Sequence, residues 1–192
     1  MLIQNKPPIG IEDFKDIREL GFYYVDKTSL IRELLSQWGR VNLITRPRRF
    51  GKSMAANMLT AYYSRGCDSK ELFAPYKISQ AESFEKHLNK YNVISFDMQK
   101  FLVKTKSVEE MLEEMEEEIL DELLTEYPEL EKYKRLDISK AVGKIFASTG
   151  IPFVFIIDEW DFVFRYYSSE NEQKKYLDYL YALFKGQPYV AL

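Results

Sequence analysis

The sequence predicts an α/β fold in which a mainly parallel sheet lies between two layers of helix. Three observations carry that expectation. Short apolar runs alternate with helix-length segments of at least a dozen residues, the spacing that right-handed parallel crossovers require. The run "FVFIID", 153–158, is apolar at successive positions and suits a strand covered on both faces. The composition, 46% hydrophobic, 30% charged and 15% aromatic over 192 residues, is that of a folded domain able to bury roughly 70% of its unfolded surface.

The elements follow in order. "GIEDFKDIRELGFYYVDKTSLIRELLSQWG" gives a short amphipathic turn, an extended "FYYV", and then a helix from about Thr28. That helix carries Leu30, Ile31, Leu34, Leu35 and Trp38 on one face, with Gly39 as its stop. "VNLIT", 41–45, is a strand candidate, and "KSMAANMLTAYYS" is a helix with Met54, Met58, Leu59 and Tyr62 at helical spacing. "NVISFDM", 92–98, is a second strand between helix candidates. From Val108 to Tyr127 the chain is strongly acidic, yet Leu112, Met115, Ile119, Leu120, Leu123 and Leu124 recur every three or four positions. That is the pattern of a core-packed helix with a solvated acidic face, favoured over an acidic docking surface. Pro128 ends it. A helix over 137–149 leads through Gly150 and Pro152 into the strand at 153–158, and a last helix, about 171–185, stops at Gly186. With no repeat or low-complexity linker, the expectation is one structural domain: an N-terminal segment, 1–40, packed on a core of 41–192.

The bulk numbers exclude several classes. A net charge of -3 gives no general pull toward nucleic acid or anionic membrane, so anion binding must come from a local cluster such as Arg46, Arg48 and Arg49. Cys67 and His87 are each the sole residue of their type; no intrachain disulfide can form, and neither shows metal-ligand spacing. "MLIQNKPPIG" lacks the pattern of a signal peptide, and no run approaches the roughly 20 apolar residues of a membrane span. The expectation is a cytoplasmic protein with no membrane partner.

"TRPRRFGKSM", 45–54, approximates the phosphate-binding pattern G-x-x-x-x-G-K-[ST], with Arg46 where the first glycine would stand. Gly51 lets backbone approach a phosphate, and the helix that follows offers amide donors and a favourable dipole. Lys52 is suited to the β and γ phosphates and the Ser53 hydroxyl to Mg²⁺. Arg46 precedes a proline and is pushed toward extended geometry, and Pro47 removes one donor. Donors from Arg48 through Phe50 and Gly51 to Ser53, with up to three guanidiniums, remain to surround a triphosphate. Ion pairing of the arginines with sheet-edge carboxylates is the alternative. "FVFIIDEWD" puts Asp158 and Glu159 at the carboxyl end of a buried strand, where ligands bind in open α/β sheets. Asp158 is suited to hold Mg²⁺ and Glu159 to polarise an attacking water; solvent-facing caps of the strand are the alternative. The expected cofactor-binding set is therefore Arg46, Arg48, Arg49, Phe50, Gly51, Lys52, Ser53 and Met54, with Ser53 and Asp158 on metal and Lys52 and Glu159 in catalysis.

"YYVDKTSLI", "LITRPRRFGKS" and "FIIDEWD" together resemble the predicted AAA-ATPase-like family of bacterial proteins, in which "RPRRFGKS" regularly replaces the glycine-first loop. The resemblance runs from about Ile9 to the last residue. It implies a P-loop NTPase three-layer sandwich of the additional-strand, catalytic-glutamate class, Mg²⁺-dependent ATP binding and hydrolysis, and in longer members a nuclease-like domain of the PD-(D/E)XK type. Carried over residue by residue, Lys52 and Ser53 match the nucleotide-binding pair, Asp158 the Mg²⁺ aspartate and Glu159 the catalytic glutamate; Trp160 stands where tyrosine is more usual. Tyr23, Tyr24 and Thr28 either flank the adenine or pack in the core.

In that class the strand following the Asp158 strand lies between it and the loop-bearing strand. Here "YVAL", 189–192, stands where it would begin, so the expected sheet is truncated before its central strand and exposes two edges. The resemblance also leaves room for a homo-oligomer with an arginine supplied by a neighbouring subunit. A nucleotide-sensing module without appreciable turnover, and a truncated inactive fragment, stay open as alternatives. Direct nucleic-acid binding through the three arginines is opposed by the acidic balance and the lack of a basic stripe.

Overall fold

The structure, a computed structural model, describes residues 6–37, 39, 41–45, 47 and 50–185. Its elements run α1 (Phe14–Glu19), α2 (Ser29–Gln37), α3 (Lys52–Tyr63), α4 (Lys70–Phe73), α5 (Phe84–His87), β1 (Asn92–Asp97), α6 (Met98–Leu102), α7 (Val108–Glu126), α8 (Ile138–Thr149), β2 (Phe153–Asp158), α9 (Phe162–Tyr166) and α10 (Glu170–Phe184). Tight 3-10 turns occupy Lys77–Gln80 and Pro128–Lys132. Among the described residues the chain is α/β, mostly helical, with a parallel sheet of two strands, β1 beside β2.

The strand expected at 41–45 is not formed. A strand exists only where its N–H and C=O groups pair with a neighbour. Here Val41 and Leu43 are 65% and 61% exposed, so the apolar run that suggested a strand faces solvent instead. Trp38, Arg46, Arg48, Arg49, Gly186 and the "YVAL" segment lie outside the described residues.

The chain divides into two compact units. Among the described residues the first takes the chain up to Ser95 together with Val154–Ile156, and the second takes Phe96–Phe153 and the chain from Ile157 to Lys185.

The first unit is held by aromatic packing. Phe14, Tyr62, Tyr63 and Phe73 are fully buried in one cluster with Ile31, Met58 and Val154. Burying each such side chain is worth about 1.5–3 kcal/mol. Phe14 stacks on Phe73 with ring centroids 4.9 Å apart and meets the edge of Tyr24 at 5.1 Å. Asp13 caps α1 by accepting from Asp16 N at 2.9 Å, and the Asn57 amide donates to Glu12 O at 3.0 Å, which ties α3 to the approach to α1.

The second unit is built around α7. Ser107 caps it, accepting from Glu110 N at 3.2 Å, and Val108, Met111, Leu112, Met115, Ile119 and Leu123 form its buried face. The opposite face is acidic and solvated, as its spacing predicts. Several of its carboxylates are engaged: Glu118 with Lys100, Glu109 with Lys175, Glu114 with Lys104 at 3.6 Å, and Glu116 accepting from Tyr179 Oη at 2.8 Å. Asp137 caps α8, and Gly150 ends it in the left-handed region at φ 69°, which turns the chain toward β2. Among the described residues no helix is long and apolar enough to cross a membrane.

Candidate functional site

The two ends of α3 are treated differently. At its carboxyl end, Asn89, itself at φ 55°, donates to Ala61 O at 3.1 Å and Ser64 O at 2.8 Å, and Ser69 Oγ donates to Ala61 O at 2.6 Å. These bonds satisfy carbonyls that a helix end otherwise leaves without partners. At the amino end stands Gly51, left-handed at φ 73° and ψ 42°, a conformation that favours glycine, and it offers no side-chain cap. Lys52 opens the helix and Ser53 and Met54 follow it, all three half-buried, while the Phe50 side chain is 61% exposed. The first-turn amides have no acceptor within the helix, and the helix dipole adds a positive field there.

A further cation stands at this end. The Lys27 ammonium donates to Phe50 O at 3.0 Å, and a Cβ on Gly51 would lie 2.9 Å from that nitrogen. The turn that carries Lys27 is rigid. Asp26 Oδ1 accepts from Thr28 N at 2.9 Å and Thr28 Oγ1 at 2.6 Å, and Asp26 Oδ2 accepts from Lys77 N at 3.2 Å. Thr28 is fully buried and also accepts from Ile78 N at 3.4 Å. Burial pushes the Asp26 carboxyl up, but the hydrogen bonds from Thr28 and Lys77 outweigh it and hold Asp26 below the usual carboxylate value. Tyr24 Oη donates to Met58 Sδ at 3.1 Å and its ring packs on Phe14 and Tyr76. Thr28 and Tyr24 are thus core-packing residues, and of the three base-flanking candidates only Tyr23, 56% exposed, faces outward.

In the second unit, carboxylates gather at the carboxyl ends of the strands. β1 and β2 both finish in aspartate, Asp97 and Asp158. Burial pushes the Asp97 carboxyl up, and the negative charges of Asp158 and Glu159 push it further. Asp97 also caps α6, accepting from Gln99 N at 2.8 Å. Glu159 sits at φ 50°, left-handed for a non-glycine residue, with its amide donating to Asp158 Oδ1 at 2.9 Å. Its carboxylate pairs with Arg165, which also bonds Asp161 at 3.2 Å and lies over the Phe162 ring. Tyr176 Oη donates to Trp160 O at 2.8 Å, which anchors the turn from below.

Of the residues singled out by the sequence, Phe50, Gly51, Lys52, Ser53 and Met54 stand together at the amino end of α3, in the first unit, and Asp158 and Glu159 at the end of β2, in the second. Arg46, Arg48 and Arg49 lie outside the described residues. Spacing alone does not single out Lys27 or Asp97. For Lys27 the available signal was its place inside "YYVDKTSLI"; for Asp97, that both apolar strands end in the same acid.

Comparison with known proteins gives three findings. The model of the family described as "Predicted AAA-ATPase" matches residues 8–187. An Azotobacter chroococcum mcd 1 protein described as "Uncharacterized protein in vnfD 5'region" is 44% identical over 62 residues, which make up 32% of this chain and only 12% of that protein. No solved structure matches.

Proposed function

We propose, from the premise that this chain belongs to the predicted AAA-ATPase family, that it binds ATP with Mg²⁺ and hydrolyses it on a P-loop NTPase core. The observation that carries the reading is the left-handed, side-chain-free Gly51 at the head of a 12-residue helix whose next residues are Lys52 and Ser53. That arrangement offers backbone donors and dipole to an anion at the point where the motif supplies a lysine and a hydroxyl.

The roles follow from the chemistry of each group. Lys52 neutralises the β and γ phosphates, and Gly51 keeps the backbone close to them. Phe50, Met54 and the guanidiniums of Arg46, Arg48 and Arg49 complete the loop around the nucleotide. Ser53 and Asp158 are hard oxygen donors of the kind Mg²⁺ prefers. Burial and the negative charges of Asp158 and Glu159 push the Asp97 carboxyl up, and a cation bound there would relieve that repulsion. Among the described residues no group of three or more acids, histidines or cysteines is placed to hold a metal ion by itself. An ion held by one or two carboxylates, the substrate phosphates and water matches that description. When bound, Mg²⁺ supplies charge neutralisation on the phosphoryl oxygens. Glu159 accepts the proton of the attacking water once its pair with Arg165 opens.

One observation favours a second reading, a module that senses nucleotide without turnover: the same Glu159 carboxylate is already engaged by Arg165. A titration with ATP and Mg²⁺ that follows both heat and released phosphate separates the two. Under the ATPase reading, Lys52→Ala abolishes binding, whereas Glu159→Gln binds and does not hydrolyse. Equal turnover in both variants excludes the assignment, and micromolar binding with no phosphate release in the wild type selects the sensor.

A further inference from the structure

We propose that Lys27 is a second phosphate-contacting ammonium, carried to the Phe50–Gly51 backbone by the locked Asp26–Thr28 turn. The proposal rests on the nucleotide reading above and adds to it a residue 23 positions upstream of the loop carbonyl it touches. Three observations point to it. The Lys27 ammonium uses one N–H on the Phe50 carbonyl at 3.0 Å, and an ammonium carries three, so two remain for a ligand. It lies 2.9 Å from where a Gly51 Cβ would be, so it stands directly against the backbone that the motif assigns to phosphate. Among the described residues Lys27 has no carboxylate within ion-pair distance: its neighbour Asp26 is committed to Thr28 and to the Lys77 amide.

The Lys27 ammonium makes an exposed bond to a carbonyl and has no counter-charge among the described residues. An anion at the head of α3 would provide that charge. The position is also prepared before any ligand arrives. Thr28 is fully buried, Asp26 is held ionised by its donors, and the Lys27 carbonyl accepts from Leu30 N at 3.1 Å, so the backbone on both sides of the lysine is fixed. Groups preorganised in this way lose little freedom when they bind.

The test uses the full chain, with Mg²⁺-ATP, inorganic triphosphate and adenosine as probes in calorimetry. Lys27→Gln removes the charge and keeps an amide donor on a side chain one atom shorter. It is expected to weaken ATP and inorganic triphosphate about tenfold, the scale of one charge-assisted hydrogen bond, while adenosine binding and the ligand-free melting temperature stay at wild-type values. Lys27→Arg is expected to recover most of the lost affinity. Wild-type affinity for both phosphate probes in Lys27→Gln overturns the proposal, as does a loss that extends equally to adenosine or tracks a fall in melting temperature. If the wild type itself binds neither ATP nor triphosphate, the nucleotide reading falls and Lys27 falls with it; a wild type that binds while Lys27→Gln is unchanged removes Lys27 alone.

Discussion

The amino end of α3 and the carboxyl ends of β1 and β2 are built with opposite charge and opposite degrees of internal satisfaction. At α3, the Lys27 ammonium stands against Gly51, Lys52 opens the helix, and the one carboxylate in the turn, Asp26, is spent on holding that turn together. At the strand ends, the charges of Asp158 and Glu159 act on the Asp97 carboxyl, and Arg165 pairs with Glu159 and offsets part of the charge. The difference shows in proton affinity: Asp26 is held below the usual carboxylate range and Asp97 above it. One acid stabilises the fold by being ionised; the other is pushed toward its protonated form by burial and by its neighbours' charge. Regions that retain like charge without neutralising it internally are the ones a protein leaves for a ligand to complete.

The strongest way to break this comparison is at Thr28. Thr28→Val keeps the volume but deprives Asp26 and the Ile78 amide of their buried partner, at a cost of about 2–3 kcal/mol. Urea unfolding would show a lower midpoint at unchanged slope, and phosphate affinity would fall because Lys27 loses its fixed support. A midpoint equal to wild type would mean the turn is not held as described. Next comes Gly51→Ala, which forces a side chain into φ 73° and costs about 1–2 kcal/mol. Gly51→Asn, which tolerates that conformation better, should lose visibly less; equal losses would argue against a left-handed Gly51.

At the acidic end, Arg165→Met leaves Glu159 and Asp161 unpaired and is expected to cost about 1 kcal/mol at low ionic strength, most of it vanishing in 1 M salt. A salt-independent loss would assign the effect to lost packing on Phe162. The smallest and most diagnostic effects are in the pH dependence. Because the folded Asp26 carboxyl lies below its unfolded value near 3.8, its contribution is complete above that pH and is lost as pH falls through the folded value. Asp97 runs the other way: its folded value lies above 3.8, so the protonated form favours folding at low pH and that advantage is lost as pH rises. Asp97→Asn, which keeps a good helix cap, should therefore raise the midpoint slightly at pH 7, by less than about 0.5 kcal/mol because the carboxylate is partly in water, and not at all near pH 3. Asp26→Asn should lower the midpoint at pH 7. Shifts of the same sign in both variants would dissolve the contrast.

Much of this was legible in the sequence where the signal is local. The periodicity of α7 and α8 and the five apolar residues before Asp158 in β2 set bounds within a residue or two of those observed. The four- and five-residue helices α4, α5, α6 and α9 are too short for a 3.6-residue period to register. "VNLIT" has strand composition, but its status depends on a pairing partner that no local pattern encodes. The site divides along the same line. Gly51, Lys52, Ser53, Asp158 and Glu159 announce themselves through adjacent residues. Lys27 reaches its carbonyl across 23 positions, and Asp97 meets Asp158 only because two distant strands lie side by side. Nor does any local rule require the left-handed backbone at Glu159, which lacks the glycine or asparagine that usually marks such a turn.

Each compact unit draws on chain from beyond the other, since Val154–Ile156 returns to the first unit from within the span of the second. A single cut therefore frees neither intact: a piece ending at Ser95 would lack Val154, which is wholly enclosed among its aromatic rings. Domain-by-domain expression is thus the wrong dissection for this protein. Split halves are useful only as complementation partners, because the later stretch of chain carries three residues that belong to the first unit.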